Sequence, residues 1–87
     1  MADTKLKRKI HKTLKESYFD DPQDLVDVSD GTEDNIHVVV VSRKFDGLRL
    51  KKRNDIIWST LVEKLKPQEW GKVSLTVATS PEEIKAS

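Results

Sequence analysis

The sequence predicts an α+β protein with the element order α-β-β-α-β, built on a three-stranded mixed sheet with helices on one face. Three patterns predict this architecture: apolar residues spaced four apart in two segments, one continuous β-branched run, and one alternating segment after the second helix. Because a helix separates the last two strands, they can pair in parallel through a right-handed crossover. A chain of 87 residues is expected to form a single domain over residues 1–87.

The first helix is predicted from a single apolar stripe with lysines on the other faces. The stripe consists of four residues at intervals of four: Leu6, Ile10, Leu14 and Tyr18. Asp3 or Thr4 is expected to cap its start. The helix should end near residues 17–19, before the break at Pro22.

The next two strands are predicted to form a hairpin. Residues 25–28 suggest a short strand with Asp24 and Asp27 on its polar side, and residues 29–32 have turn composition. The β-branched run over residues 36–41, in which His37 is the one polar residue, is typical of a central strand.

The second helix and the third strand follow. Asn54 or Asp55 is the expected N-cap, the apolar positions recur every fourth residue over 57–65, and Pro67 stops the helix. Val73, Leu75 and Val77 alternate with smaller or polar residues, which predicts a half-buried strand. Residues 80–83, Ser-Pro-Glu-Glu, are a capping box that opens a final helical turn.

Composition narrows the chemistry. The chain has no cysteine, so disulfides, zinc–thiolate sites and cysteine nucleophiles are excluded. No apolar run approaches the ~18 residues of a membrane span, and the basic N-terminus lacks the apolar core of a secretory signal, so we expect a cytoplasmic protein. The two histidines, His11 and His37, do not by themselves make a metal site, although His37 is a weak candidate ligand. No serine has a base placed by a motif, so we expect no enzymatic activity.

Charge is arranged in blocks although the formal net charge is only +1. Residues 5–15 are basic, residues 16–34 are acidic, and a second basic block follows. Gly47 is expected to place this second block on a loop at the entry to the second helix. We call its six cations the basic elbow: Arg43, Lys44, Arg49, Lys51, Lys52 and Arg53.

The basic elbow is the main candidate binding surface. Cations at a helix start suit phosphates, and they suit an acidic protein face equally well. Arg53 has a structural alternative, in which it bonds backbone carbonyls. Trp70, beside Gly71 and Lys72, is either an interface anchor or part of the hydrophobic core.

From Val38 onward the sequence resembles the BolA family. The resemblance rests on a valine-rich strand that ends at Ser42, then Phe45 and Gly47, with Arg53 at the family's spacing. An aliphatic–aromatic helix start over residues 56–58, the alternating third strand and the capping box also fit. The resemblance implies a fold like the class II KH domain, and a non-enzymatic protein.

The resemblance also implies partners. BolA-like proteins pair with monothiol glutaredoxins and handle [2Fe–2S] clusters, and some members regulate transcription by binding DNA. The family's loop ligand falls on Asn35 here, and its histidine before the third strand falls on Gly71; neither residue ligates iron.

Two functions follow as hypotheses. The first is an adaptor that docks a monothiol glutaredoxin in iron–sulfur or redox regulation, through the basic elbow and the loop of Trp70 and Lys72, with any [2Fe–2S] cluster shared between the partners. The second is a transcriptional regulator that binds nucleic acid through the same cations. The Gly-x-x-Gly clamp of nucleic-acid-binding KH domains is absent, because the chain has only three glycines. Self-association, as a weak homodimer, is a third possibility.

Overall fold

The structure is a computed structural model that describes residues 3–86. In these residues it contains four helices and three strands: α1 (Thr4–Ser17), β1 (Leu25–Asp30), β2 (Ile36–Val41), α2 (Leu50–Lys64), α3 (Pro67–Trp70), β3 (Val73–Thr79) and α4 (Pro81–Ala86). A 3₁₀ turn, Arg43–Phe45, follows β2. The predicted order α-β-β-α-β is confirmed, with α3 and α4 as short additions.

The three strands form one mixed sheet in the order β1-β2-β3. β1 pairs with β2 in antiparallel fashion, and β3 pairs with β2 in parallel fashion. This confirms the predicted hairpin and the predicted crossover through α2.

The core lies on one face of the sheet. Ile36, Val38 and Val40 are fully buried there, and the buried residues of α1 and α2 belong to the same cluster: Ile10, Leu14, Ile57 and Leu61. On the opposite face Val39 and Val41 are only half-buried. Helices therefore cover the central strand on one face, and its other face is partly covered, as expected for a central strand.

The predicted helix caps are partly correct. Asp3 caps α1, because its carboxylate accepts from the Lys5 N–H at 2.8 Å. Ser80 and Glu83 form the predicted capping box, with the Glu83 carboxylate accepting from the Ser80 N–H at 2.9 Å and the Ser80 hydroxyl accepting from the Glu83 N–H at 3.3 Å.

The predicted start of α2 is wrong. The helix begins at Leu50 with Arg49 as its N-cap, rather than at Asn54 or Asp55. The Asn54 side chain does not cap, because its Oδ1 accepts from the Thr76 hydroxyl on β3 at 3.0 Å. Lys51, Lys52 and Arg53 consequently lie inside the helix and not on a preceding loop.

The pattern of β3 also differs from the alternation in the sequence. Ile36 pairs with Val73 while His37 pairs with Leu75, so Ser74 is an extra residue that forms a bulge. A bulge reverses which side chains face the core. Val73 and Ala78 are therefore buried, while Leu75 and Val77 point to the open face.

Pro67 does not simply stop α2. The helix ends at Lys64, and Pro67 is the first residue of α3, where its fixed φ is compatible with a helix start.

Among the described residues, none of the helices has the length and apolar character of a membrane span.

Candidate binding surface

The six cations of the basic elbow divide into two groups in the structure. Arg43, Lys44 and Arg53 are bonded to other parts of the chain. For Arg49, Lys51 and Lys52 the structure shows no ion pair with any residue of the described range, and all three are exposed. Three of the six cations of the basic elbow are therefore exposed on the surface without an ion pair to a described residue.

Lys44 is bonded to the segment that joins α1 to β1. Its Nζ contacts the Asp24 carboxylate at 3.0 Å and the Asp20 carboxylate at 3.3 Å, and donates to the Tyr18 carbonyl. The ammonium also lies 5.2 Å from the centre of the Tyr18 ring. Burial alone would lower the pKa of Lys44, but the bonds to the two carboxylates outweigh it and raise the pKa.

Asp24 is buried, contrary to the prediction that it shares the polar side of β1 with Asp27. Side chains alternate along an extended chain, so Asp24 lies on the same side as the buried Val26. Burial would raise the pKa of Asp24, but hydrogen bonds from the Ser42 hydroxyl, at 2.7 Å, and from Lys44 outweigh it and lower the pKa. Ser42, which ends the valine run, thereby fixes this carboxylate against β2.

Arg53 joins three elements from a buried position on α2. Its Nε donates to the Leu48 carbonyl at 2.8 Å, and its Nη1 donates to the Ala78 carbonyl at 3.3 Å and to the Glu83 carboxylate at 2.5 Å. The hydrogen bond from Arg53, together with the one from the Ser80 N–H, lowers the pKa of Glu83 to about 2. Of the two interpretations of Arg53, this geometry favours the structural one, and we leave Arg53 out of the proposed binding surface.

The three exposed cations form a compact surface at the start of α2, which we call the helix-entry surface: Arg49, Lys51 and Lys52. With Gly47 and Leu48 they line a shallow depression of about 400 Å³, in which Asp55 is the one carboxylate among the described residues. Gly47 shapes the approach to it, because its φ of +77° belongs to the left-handed region that side chains resist.

The backbone at the helix-entry surface carries partial positive charge, as its side chains carry positive charge. Arg49 makes no side-chain capping bond, and the first turn of α2 contains no acidic residue. The N–H groups of this turn and the positive end of the helix dipole therefore add to the three cations. A surface of this kind attracts an anionic group.

Trp70 and Lys72 lie elsewhere. Trp70 is half-buried and packs edge-to-face on Trp58, with 6.3 Å between ring centres, which favours its core role. Lys72 is exposed and lines a separate groove of about 510 Å³ between α1 and α3, beside Glu69. No residue lines both this groove and the depression at the helix-entry surface.

Sequence reasoning missed two cations that share the groove with Lys72. Lys5 and Lys9 lie on one face of α1 at this groove, and Lys9 forms an ion pair with Glu69 at 2.7 Å. Their spacing of four places them on one face of a helix, but it does not indicate which element that face meets.

The positions that correspond to iron ligands do not fit a [2Fe–2S] cluster. Asn35 belongs to the β1–β2 turn, where its carbonyl accepts from the Gly31 N–H at 2.8 Å. A Cβ at Gly71 would lie 2.7 Å from the Pro67 carbonyl oxygen, so a histidine would require the backbone to move. The His37 ring packs against Gly31, and within residues 3–86 no three His, Cys, Asp or Glu side chains are grouped as metal ligands.

Comparison with solved structures identifies the fold. BolA1 from Arabidopsis thaliana is 20% identical and aligns over 90% of this chain and 94% of its own, with a TM-score of 0.66. BolA1 from Mus musculus is 22% identical over 99% of this chain and 73% of its own, with a TM-score of 0.68. The chain has the BolA fold.

A third BolA structure has the same fold as this chain. The BolA domain of SufE1 from Arabidopsis thaliana is 22% identical and aligns over 95% of this chain and 99% of its own, with a TM-score of 0.63. The sequence itself matches no family model and no curated protein. The BolA-like fold that the motifs predict is therefore confirmed from three-dimensional structure.

Proposed function

We propose that this BolA-like protein is a non-enzymatic binding module that docks a monothiol glutaredoxin and acts as an adaptor in iron–sulfur or redox regulation, without donating an iron ligand of its own. The observation that carries the proposal is the helix-entry surface on a BolA fold. Arg49, Lys51 and Lys52 are exposed and lack ion pairs within the described chain, although a third of the sequence is charged.

The chemistry of the surface sets the requirement on the partner. The surface carries three cations and one carboxylate, Asp55, and the start of α2 adds partial positive charge. A surface with this excess of positive charge is complementary to an acidic protein face. Because the surface is shallow and open, the expected effect of its charges is faster association and correct orientation more than a large gain in affinity. The choice of a glutaredoxin rests on the BolA resemblance.

The test is an NMR titration of the isotope-labelled protein with a cluster-loaded monothiol glutaredoxin. We expect shifts at residues 47–52, and shifts at residues 70–72 if the loop before β3 takes part. Lys51→Glu combined with Lys52→Glu should weaken binding by roughly tenfold or more, since like charges would then face the acidic partner. Lys64→Glu is the control, because Lys64 is exposed at the far end of the same helix.

Absence of shifts at residues 47–52 would reject the proposed docking surface. An equal loss of binding in the Lys64→Glu variant would also reject it, because it would show that only the total charge matters.

Nucleic-acid binding is a second candidate, supported by one observation. The first turn of α2 offers main-chain N–H groups without a side-chain cap, beside three exposed cations, and this arrangement suits phosphates. If all three cations contact duplex DNA, the log–log slope of affinity against salt should be about −2.7, or about −0.9 per phosphate neutralised. Lys52→Ala should flatten this slope by about 0.9, and Lys64→Ala should leave it unchanged. Binding that does not respond to salt would reject this candidate.

A further inference from the structure

β1 is an edge strand whose outer side presents backbone groups without partners. It pairs with β2 alone among the described strands. The Ser42 N–H, at the end of β2, donates to β3. Backbone groups alternate in direction along a strand, so Val39 faces β1, where it pairs with Asp27. The N–H and C=O groups of Val26 and Val28 therefore face outward, and within residues 3–86 they have no hydrogen-bond partner.

α1 borders this edge and forms a groove with it. Lys7, Arg8 and His11, at helical spacing on one side of α1, line a groove of about 370 Å³ together with Val26 and Val28. Val26 is only 5% exposed and Val28 is half-buried, so their outward backbone groups lie deep in this groove. Because water reaches such groups poorly, they gain free energy when a partner bonds them.

The helix side of the groove is positively charged. The Arg8 side chain is exposed and forms no ion pair with a residue of the described range. Lys7 is paired with Asp30 at 2.8 Å, and the exposed His11 ring offers an N–H donor. The Asp27 carboxylate belongs to the opposite face of the sheet, because side chains alternate along a strand. The helix side of the groove therefore attracts carboxylates.

We propose that this groove binds an extended acidic peptide of a partner protein, which pairs with β1 in antiparallel fashion and becomes a fourth strand of the sheet. The outward groups of Val26 and Val28 then bond two peptide residues that are two positions apart. The added strand lies ~4.8 Å beyond β1 in the plane of the sheet, whereas α1 lies in the layer above, so the two do not compete for space.

The backbone chemistry of the edge favours a polypeptide as the occupant. Val26 and Val28 each present one donor and one acceptor, and an extended peptide satisfies both, whereas a phosphate only accepts. A second copy of this chain is disfavoured. If its own β1 paired in the register that sets Val26 against Val28, the two Asp27 carboxylates would lie directly opposite each other.

The register also specifies the peptide sequence. Side chains of directly opposite residues point to the same face, so the two peptide residues opposite Val26 and Val28 face Arg8, and glutamate or aspartate suits both. The residue between them lies opposite Asp27, where an acidic side chain would meet a like charge. An apolar residue suits this position, because Leu25 is 55% exposed on the same face. The preferred pattern is acidic–apolar–acidic.

The expected affinity is modest. One short strand buries less than the ~1,200 Å² in total that specific, stable complexes reach, so we expect a dissociation constant between micromolar and millimolar. The groove shares no residue with the depression at the helix-entry surface. The binding of the peptide and the proposed docking of a glutaredoxin therefore stand or fall separately.

Hydrogen exchange measured by NMR tests the strand addition. The probe is the synthetic peptide Thr-Glu-Val-Glu-Val-Glu-Thr. At a saturating concentration of this peptide, the N–H groups of Val26 and Val28 should exchange more slowly than in the free protein, because both become bonded. The Asp27 N–H should change little, since it already faces β2.

A peptide of the same composition tests the pattern. Thr-Glu-Glu-Val-Val-Glu-Thr contains no two glutamates that are two positions apart. It should bind roughly fivefold or more weakly, since only one glutamate at a time can face α1 opposite Val26 or Val28.

Two variants with the same change of charge test the position of the groove. Arg8→Glu should weaken binding of the alternating peptide by roughly tenfold or more, because it places a like charge beside the glutamates. Lys5→Glu is the control, since Lys5 is exposed on α1 but lines the separate groove that contains Lys72. It should bind the peptide nearly as the wild type does.

Three results would overturn the proposal. The first is unchanged exchange at Val26 and Val28 in millimolar peptide, and the second is equal affinity for the two peptides or an equal loss in the two variants. The third is slow exchange of the same N–H groups in the free protein that increases with protein concentration, because a second copy would then occupy the edge.

Discussion

Lys52 and Arg53 are neighbours in the sequence and have opposite environments in the fold. Lys52 is exposed without an ion pair in the described chain, whereas Arg53 is 6% exposed and bonds three elements. Consecutive residues of an α-helix point about 100° apart, so one cation faces solvent and the next faces the sheet. A run of like charges in a sequence therefore does not define a surface until the helix that carries it is placed.

The largest difference between the two cations should appear in stability. Arg53→Met removes the donors of the Leu48 and Ala78 carbonyls and the partner of Glu83, and we expect it to destabilise the fold by about 2–4 kcal/mol. Lys52→Met should change the free energy of unfolding by less than about 0.5 kcal/mol. Urea denaturation of both variants measures the contrast, and equal effects would contradict the structural role of Arg53.

Lys44 should show a smaller loss. Lys44→Met leaves the buried Asp24 carboxylate with the Ser42 hydroxyl but without its cation, and we expect a cost of about 1–2 kcal/mol. In a double-mutant cycle with Asp24→Asn, the two losses should not add, because they remove the same interaction. Arg43→Met is the control, since within residues 3–86 its exposed guanidinium bonds the Gln23 side chain alone. Additive losses would show that Lys44 and Asp24 are independent.

Acid should weaken the contacts of Arg53. The pKa of Glu83 is about 2 in the folded chain against an ordinary value of 4.5. Because the folded pKa is lowered, the stabilisation by ionised Glu83 is fully present above 4.5 and is lost as the pH falls from 4.5 through about 2. Unfolding free energies measured across this range should fall less steeply for Glu83→Gln than for the wild type. Parallel curves would show that Glu83 does not contribute.

The smallest expected effect has the opposite sign. Lys51 places a positive charge in the first turn of α2, next to the positive end of the helix dipole. Lys51→Asp should therefore stabilise the fold by about 0.3–1 kcal/mol while it weakens partner binding. Lys64→Asp, in the last turn of the same helix, should destabilise it by a similar amount. A destabilised Lys51→Asp variant would indicate that Lys51 serves the fold and not a partner.

The local features of the fold were predictable from particular residues. The valine run predicted β2, the spacing of Ile10 and Leu14 predicted α1, and the Ser80–Glu83 capping box predicted α4; the structure confirms each of them. These features depend on side-chain periodicity and on hydrogen bonds between residues close in sequence, which the order of residues already contains.

The errors arose where a residue bonds a distant element. Asn54 looks like an N-cap in isolation, but its side chain bonds Thr76 on β3. Asp24 looks like a solvated strand residue, but it is buried against Ser42 and Lys44. These three bonds join residues that are 18 to 22 positions apart, and no short-range pattern reveals them.

The amino-acid order alone was sufficient to establish the sequence of helices and strands, the central position of β2 and the presence of a cationic segment before residue 54. Which cations remain free for a partner, and which face Leu75 and Val77 occupy, became evident from the packed structure. The physical reason is that periodicity and capping act within a few residues. The burial of Arg53 and the bulge at Ser74, by contrast, depend on α2, β2 and β3 meeting in space.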